Sequence, residues 1–225
     1  MTVRIMKFDK SGNRLVTSAE MKELDKNTIE THGVPSMVLM ERAALAAVEA
    51  LHDEEFDLSR VAAVCGPGNN GGDGVAIARL LHIAGYTAAV VFVGELEKRS
   101  EETARQMSIA ESYGVPVSFG CGAEASEIIA NATTVIDAIF GIGGGRAPEG
   151  DFLGAVRLVN RAGAAGAEVL AVDIPSGVSA DTGEAAGEAV TADATVTFAF
   201  KKIGHTIPPG REMSGEVIIK DIGIY

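Results

Sequence analysis

Residues 61–81, VAAVCGPGNNGGDGVAIARLL, decide the fold class of this chain. An apolar strand enters a loop with the spacing Gly66-x-Gly68-x-x-Gly71, and an apolar helix leaves it. This spacing is typical of a dinucleotide-binding turn, because glycines allow close backbone approach and a helix N-terminus offers free N–H groups to an anion. A tight strand-to-helix turn without a ligand fits the same triplet, so both interpretations stay open here.

The alternation of apolar strands and helices continues to the end of the chain. Strands are predicted at residues 60–65, 87–94, 115–120, 133–141, 167–175, 193–200 and 215–223, with helices at 73–84, 100–113, 124–130 and 152–162. Two helices precede them, after a short tail or edge strand, and the first has a capping box of Thr17 and Glu20. Apolar strands separated by helices indicate a parallel sheet covered on both faces. We therefore predict one domain over residues 1–225, a three-layer α/β/α Rossmann-like fold with a mostly parallel central sheet.

Composition limits the partners and the location of the protein. A formal net charge of −12 over 225 residues argues against a nucleic-acid-binding face, which needs clustered lysine and arginine. The sequence contains neither a run of roughly 18 apolar residues, as a membrane helix needs, nor the apolar region of a secretory signal. Its two cysteines, Cys65 and Cys121, do not make a disulfide framework. We expect a cytoplasmic protein with no nucleic-acid or membrane partner.

The first of three unusual loops is GPGNNGGDG, at residues 66–74. Like the other two, it follows a predicted strand, and open parallel sheets bind ligands beyond the carboxyl ends of their strands. Asn69, Asn70 and Asp73 add polar groups that a simple pyrophosphate turn does not require. Asp73 could also serve only as a helix cap.

The other two loops also carry carboxylates at strand ends. Asp137 precedes a loop with three consecutive glycines at 143–145, which is either a mobile linker or a flap over a ligand, and Arg146 beside them could reach a phosphate. The third loop, DIPSG, begins with Asp173 and contains Ser176. A carboxylate at the end of a buried strand is costly unless it is paired, solvated or used.

Three oxygen-bearing side chains of these loops could hold a cation. Asn70, Asp137 and Ser176 are predicted to lie near one edge of the sheet. One carboxylate with neutral oxygens suits a monovalent ion or a loosely held divalent one, and the spacing does not choose between them. The alternative is that Asp137 is a plain turn or capping residue. The four histidines lack metal-ligand spacing and are interpreted as structural or exposed.

A dehydrogenase is one alternative function for this fold class. Its fingerprint requires an acidic residue about twenty positions after the glycines to hold the ribose. Glu95 is an approximate candidate. However, the sequence shows no second catalytic domain and no site for a hydride acceptor.

Four segments in order make the sequence more specific: GPGNNGGDG, DAIFG, VDIPSG and ADATVTFAFKKIG. Together they closely resemble the NAD(P)HX epimerase family, also called the NAD(P)H-hydrate epimerases, in its standalone form without a dehydratase domain. The resemblance implies an enzyme that interconverts the R and S forms of hydrated NADH and NADPH. An ADP- or ATP-dependent dehydratase specific for the S form would be its functional partner, and a homodimer is expected.

The resemblance also assigns site residues. Potassium, one ion per subunit, is expected at Asn70, Asp137 and Ser176. Substrate contacts are expected at Asn69, Asn70, Gly71, Gly72, Asp73, Gly141, Ile142, Gly143, Gly144, Gly145, Arg146, Ala147 and Asp173.

The chemistry needs an acid and a base rather than a covalent nucleophile. Nitrogen lone-pair donation expels the protonated hydroxyl as water, and water re-adds from the other face. Asp173 is the first candidate for the acid/base group because it ends a buried strand, and Asp73 is the second. The alternative function is a non-catalytic nucleotide-binding module of the same fold.

Overall fold

The computed structural model describes residues 7–145 and 147–225. Its strands are β1 (Lys7–Phe8), β2 (Arg14–Val16), β3 (Arg60–Cys65), β4 (Thr87–Phe92), β5 (Val117–Phe119), β6 (Thr134–Ala138), β7 (Glu168–Val172), β8 (Ala194–Phe198), β9 (Lys201–Lys202) and β10 (Glu216–Lys220). Its α-helices are α1 (Ser18–Glu30), α2 (Ser36–Asp53), α3 (Asn69–Ile83), α4 (Glu101–Ser112), α5 (Ala123–Ala130), α6 (Gly150–Ala164) and α7 (Gly210–Met213). The predicted strands after residue 60 are therefore present, most of them shorter than expected.

The central sheet has seven strands in the order β10-β8-β7-β6-β3-β4-β5, and every pairing in it is parallel. The chain enters this sheet at β3, an interior strand, and moves outward through β4 and β5. It then returns to β6 on the other side of β3 and continues to β10. The loops after β3 and β6 therefore diverge, which opens the crevice where sheets of this kind bind ligands.

Alternate residues of each strand pack against the helices on opposite faces of the sheet. In β3, Val61, Ala63 and Cys65 join one apolar core with residues of α2, α3 and α4. Ala62 and Val64 join a second core with residues of α5 and α6. This two-sided burial explains why the strands are apolar along their whole length, and it confirms the predicted three-layer α/β/α fold with a mostly parallel sheet.

Helix α3 begins at Asn69, four residues before the predicted start at 73. The prediction was wrong because it treated the glycines of NNGGD as loop residues. In the structure they are the points of closest packing: a Cβ added to Gly71 would lie 1.8 Å from the Gly66 carbonyl oxygen, and one added to Gly74 would lie 2.4 Å from Ala138 Cβ. The segment NNGGD is therefore the start of the helix, held tightly against β3 and β6.

Residues 7–16 belong to a separate small sheet rather than to a tail or an edge of the central sheet. Strand β2 pairs antiparallel with β1 and parallel with β9, which places Val16 beside Lys202. Residues 1–6 lie outside the described part of the chain. Because β9 closely follows β8, the small sheet stands at the carboxyl edge of the central sheet. Among the described helices, none is both long and apolar enough to cross a lipid bilayer.

The close packing of α3 predicts a difference between two helical glycines. Gly74→Ala places a methyl group 2.4 Å from Ala138 Cβ, so it should lower the free energy of unfolding by about 1–3 kcal/mol. Gly154→Ala in α6 is the matched control, because its new methyl group meets only Cys121, at 3.3 Å, and should change stability by less than about 1 kcal/mol. Urea unfolding measures both, and equal effects would contradict this account of α3.

Candidate active site

A cavity of about 500 Å³ lies at the carboxyl edge of the sheet, over the crevice between β3 and β6. Polar groups from the first and third predicted loops line it, together with apolar residues of α1, α2 and the C-terminal segment. Of the predicted substrate-binding residues, the cavity is lined by Asn69, Asn70, Asp73, Gly141, Ile142, Gly143, Gly144 and Asp173. The fold thus brings most of the sequence-predicted site to one place.

Asp173 follows β7 and holds an unusual backbone conformation, with φ of 71°. This left-handed region is uncommon for a non-glycine residue and marks positions that the surrounding structure holds in place. Its Oδ2 accepts a hydrogen bond from the Ile142 amide at 3.1 Å. Its Oδ1 lies 2.5 Å from the Nζ atom of Lys202. The carboxylate therefore has a fixed orientation in the cavity wall.

Lys202 was not singled out from the sequence. It follows β8 and is only 1% exposed, and its ammonium also donates to the Thr197 hydroxyl at 2.7 Å. The main-chain amide of Lys202 donates to Nδ1 of buried His205 at 3.2 Å. The sequence did contain a signal for a buried lysine, because a lysine right after an apolar strand at this edge must either reach solvent or be paired. The sequence KK did not tell which of Lys201 and Lys202 turns inward.

The pKa values of two carboxyls of the cavity are shifted in opposite directions. Burial alone would raise the pKa of Asp173, but the adjacent Lys202 ammonium holds the pKa of this carboxyl below its ordinary value. Burial raises the pKa of Asp73 well above its usual range, and the negative charges of Asp173 and Asp25 raise it further. The pKa values of Asp173 and Asp73 are therefore moved apart, with Asp173 the stronger acid and Asp73 the weaker one.

Asp137, at 0% exposure, makes the second polar cluster with Ser176. The Ser176 hydroxyl donates to Asp137 Oδ1 at 2.6 Å, and the Ser176 amide donates to Oδ2 at 2.8 Å. The same hydroxyl accepts from the Phe140 amide at 2.9 Å and lies 3.4 Å from the Phe140 carbonyl oxygen. Burial raises the pKa of Asp137 to about 6, although the bonds from Ser176 act against this rise.

Gly141 leaves a small space between Asp173 and Asn70. A Cβ at this position would lie 3.0 Å from Asp173 Oδ2 and 3.1 Å from Asn70 Oδ1. The amide nitrogen of Asn70 is buried without a hydrogen-bond partner in the described part of the chain. No three histidine, cysteine or carboxylate side chains within these residues converge as a metal centre would require. The donor set of Asn70, Asp137 and Ser176 is therefore one carboxylate with neutral oxygens.

The other predicted site residues lie elsewhere. Gly71 and Gly72 are buried in the packing of α3 and do not line the cavity, and Gly145 and Ala147 are exposed beside it. Arg146 lies outside the described residues, so its proposed contact stays a prediction.

Glu95, the ribose-binding candidate of the dehydrogenase alternative, also lies away from the cavity. Its side chain is 64% exposed and pairs with Lys98 at 2.6 Å. It does not line the cavity. The ribose contact that a dehydrogenase fingerprint requires is thus not supplied by this residue.

The fold and the site define the class: a Rossmann-like α/β protein with a carboxyl-lined ligand cavity at the switch point of its sheet. The family model described as YjeF-related protein N-terminus matches residues 36–204. The chain belongs to this family.

Curated relatives agree over almost the full length of both chains. The NAD(P)H-hydrate epimerase of Levilactobacillus brevis is 43% identical over 213 residues, which cover 95% of each chain. The protein of the same name from Limosilactobacillus reuteri (strain DSM 20016) is 45% identical and covers 95% of this chain and 98% of its own. Among solved structures, the crystal structure of yeast ynu0, YNL200c, is 25% identical, with a TM-score of 0.77, over 85% of this chain and 83% of that chain.

The hydrogen bonds between Asp137 and Ser176 predict that removal of the Ser176 hydroxyl destabilises the folded protein. Ser176→Ala removes a buried hydrogen bond to a carboxylate and the acceptor of the Phe140 amide, so it should lower the free energy of unfolding by about 2–3 kcal/mol. Ser179→Ala is the control in the same loop, since its hydroxyl only accepts a 3.2 Å bond from the exposed Thr182 amide. Chemical unfolding of both variants measures this, and a silent Ser176→Ala would contradict the described geometry.

Proposed function

We propose that this protein is an isomerase that interconverts the R and S forms of hydrated NADH and NADPH, with Asp73 and Asp173 as its acid and base. The curated relatives that match nearly the whole chain are named NAD(P)H-hydrate epimerase. The observation that carries the residue roles is that one cavity is lined by both Asp73, whose pKa burial raises well above its usual range, and Asp173, whose pKa the Lys202 ammonium holds below its ordinary value. Two carboxyls whose environments drive their pKa values apart are a common arrangement for general acid and base.

The reaction proceeds by loss and return of water. Asp73 donates its proton to the hydroxyl on the ring carbon beside the nitrogen, the carbon–oxygen bond breaks, and its electron pair leaves with water. The nitrogen lone pair forms a carbon–nitrogen double bond, which flattens the centre. A second water adds to the opposite face and passes a proton to Asp173, while its oxygen forms the new bond to carbon and the second electron pair of the carbon–nitrogen double bond returns to the nitrogen. The proton then returns from Asp173 to Asp73 through solvent, which restores both groups.

The loops of the cavity are proposed to hold the dinucleotide. Asn69 and Asn70 stand in the first turn of α3, where unpaired backbone N–H groups favour a phosphate or a carbonyl oxygen. Residues 141–144 line the opposite side of the same opening. This placement supports substrate contacts from both loops, with Gly71 and Gly72 acting through the packing of α3 rather than by contact.

We further propose that a potassium ion is held by Asn70, Asp137 and Ser176. The residues fit such an ion because Asp137 Oδ1 lies 2.6 Å and the Phe140 carbonyl oxygen 3.4 Å from the Ser176 hydroxyl oxygen, and Gly141 leaves space beside Asn70 Oδ1. When bound, the ion would supply positive charge that offsets the carboxyls of the site. A homodimer is proposed as well, supported by the exposed apolar side chains of Val38 and Leu45 on α2.

A dehydratase specific for the S form is the proposed functional partner, because epimerisation alone does not restore the cofactor. The pair would work in the reducing cytoplasm. Both cysteines of the chain are free thiols, which is consistent with that compartment.

A coupled assay, in which the dehydratase reaction stops until the R form is epimerised, tests the proposed function. Chemically hydrated NADH with excess S-specific dehydratase should stop when the S form is used up, and adding this protein should quickly restore the remaining NADH absorbance. Asp173→Asn should lower this rate by at least about a hundredfold, because it removes the base. Glu95→Gln, an exposed control, should retain wild-type activity. If the reaction stays stalled with wild-type protein, the chain is a binding module instead.

The pH dependence of kcat/KM tests the acid. Activity needs Asp73 protonated, so it should fall at alkaline pH as Asp73 loses its proton. Asp25→Asn removes a negative charge that raises the pKa of Asp73, so the alkaline limb should move to lower pH. Glu30→Gln, on the same helix but outside the cavity, should leave the limb unchanged. An alkaline limb that stays in place in Asp25→Asn would remove Asp73 from this role.

Salt exchange tests the cation. At equal ionic strength, potassium chloride should raise Tm above its value in tetramethylammonium chloride, since an ion bound only by the folded state adds about 1.4 kcal/mol at ten times Kd. Asp137→Asn should abolish the difference between the salts. Asp181→Asn, an exposed control, should retain it. Equal Tm values for the wild type in both salts would refute the potassium site.

A further inference from the structure

Lys202 is a buried cation that the roles proposed so far do not use. Its side chain is 1% exposed, and it lines the cavity together with Asp173. Burying an ammonium group is costly unless it is paired and hydrogen-bonded. Asp173 Oδ1 lies at 2.5 Å, the Thr197 hydroxyl at 2.7 Å and the Phe198 carbonyl at 3.4 Å. Asp173 and two residues of β8 thus hold the ammonium in one position.

The two oxygens of Asp173 are treated differently by this arrangement. Oδ1 is occupied by Lys202 and, at 3.4 Å, by the Thr197 hydroxyl. Oδ2 accepts the single amide bond of Ile142 and borders the space left by Gly141. Only Oδ2 therefore faces the part of the cavity where Gly141 and Asn70 meet.

We propose that Lys202 is the positioning residue of the epimerase site, holding the Asp173 carboxylate by Oδ1 so that Oδ2 takes the proton of the attacking water. This inference rests on the proposed function. Lys202 does not touch the substrate in this role and acts through Asp173. It also provides the positive charge that keeps Asp173 ionised next to the carboxyl of Asp73.

The other charged groups around Asp173 do not replace this charge. His205, in the turn Ile203–Thr206, is neutral, because burial and the Lys202 ammonium lower its pKa to about 3. Asp73, from α3, is a carboxyl and carries no positive charge in either protonation state. Lys201 pairs with Asp9 at 3.5 Å, in the small sheet. Among the described groups, Lys202 is thus the cation that sets the state of Asp173.

Three variants test the proposal in the coupled assay, each after a check of folding by circular dichroism. Lys202→Met keeps the apolar stem and removes the charge, Lys202→Arg keeps a charge, and Lys201→Met is the matched neighbour. In Lys202→Met, the acid limb of the pH profile of kcat/KM should move to higher pH by about 1–3 units, because the pKa of Asp173 rises when it loses its cationic partner. Its kcat should fall by at least about tenfold, with KM changing much less. The limb should stay near the wild-type position in Lys202→Arg and Lys201→Met.

Thr197→Val covers the case in which Lys202→Met does not fold. It removes the hydroxyl that holds the ammonium while keeping the side-chain shape, and it should move the acid limb in the same direction by a smaller amount. The proposal is overturned if folded Lys202→Met keeps the wild-type acid limb, even if its kcat falls, because a merely structural role explains that result. If Lys202→Met does not fold, a wild-type acid limb in Thr197→Val overturns the proposal in the same way. Absence of activity in the wild type instead overturns the proposed function itself.

Discussion

The structure depends on the partners of its buried carboxylates, which are hydrogen-bond donors and an ammonium group. The parallel sheet places these carboxylates at its carboxyl edge. Asp137 and Asp173 stand at the ends of the neighbouring strands β6 and β7, where each apolar strand leaves the core. A buried carboxylate is tolerated only with partners, and the chain supplies a different set to each. Asp137 receives the hydroxyl and amide of Ser176, and Asp173 receives the ammonium of Lys202. The loops that provide these partners are fixed in place by the same contacts.

These partners give the Asp137 cluster and the Asp173 cluster different chemical properties. The cluster around Asp137 combines a carboxylate with the Ser176 hydroxyl and the Phe140 carbonyl oxygen, which suits a cation, and its hydrogen bonds support the loop after β6. The cluster around Asp173 contains a fixed ammonium, which holds the pKa of Asp173 below its ordinary value, while burial and the charge of Asp173 raise the pKa of the nearby Asp73. In the proposed reaction, the acid and the base act on the two faces of one substrate carbon, and the reaction requires neither a covalent nucleophile nor a redox group.

The sequence predicts the sheet well, because its strands are apolar on both faces and end in recognisable loops. It predicts Asn70, Asp73, Asp137, Asp173 and Ser176 as candidates for the same reason, since carboxyl ends of parallel strands share one edge. It fails where glycine serves packing instead of turning, so the start of α3 was placed too late. It also misses Lys202, because which of two adjacent lysines is buried depends on the pairing of β9 with β2, a contact between distant parts of the chain.

Heavy-oxygen labelling tests the central claim, that two carboxyls remove and return water at one carbon. Purified R-form hydrate is incubated with the protein in water labelled with heavy oxygen, and the S form is analysed by mass spectrometry after correction for uncatalysed exchange. Because water that adds to the opposite face comes from solvent, the account predicts that newly formed S epimer carries the label. S epimer formed without label would contradict it, since the hydroxyl would then have stayed in the molecule while its configuration changed.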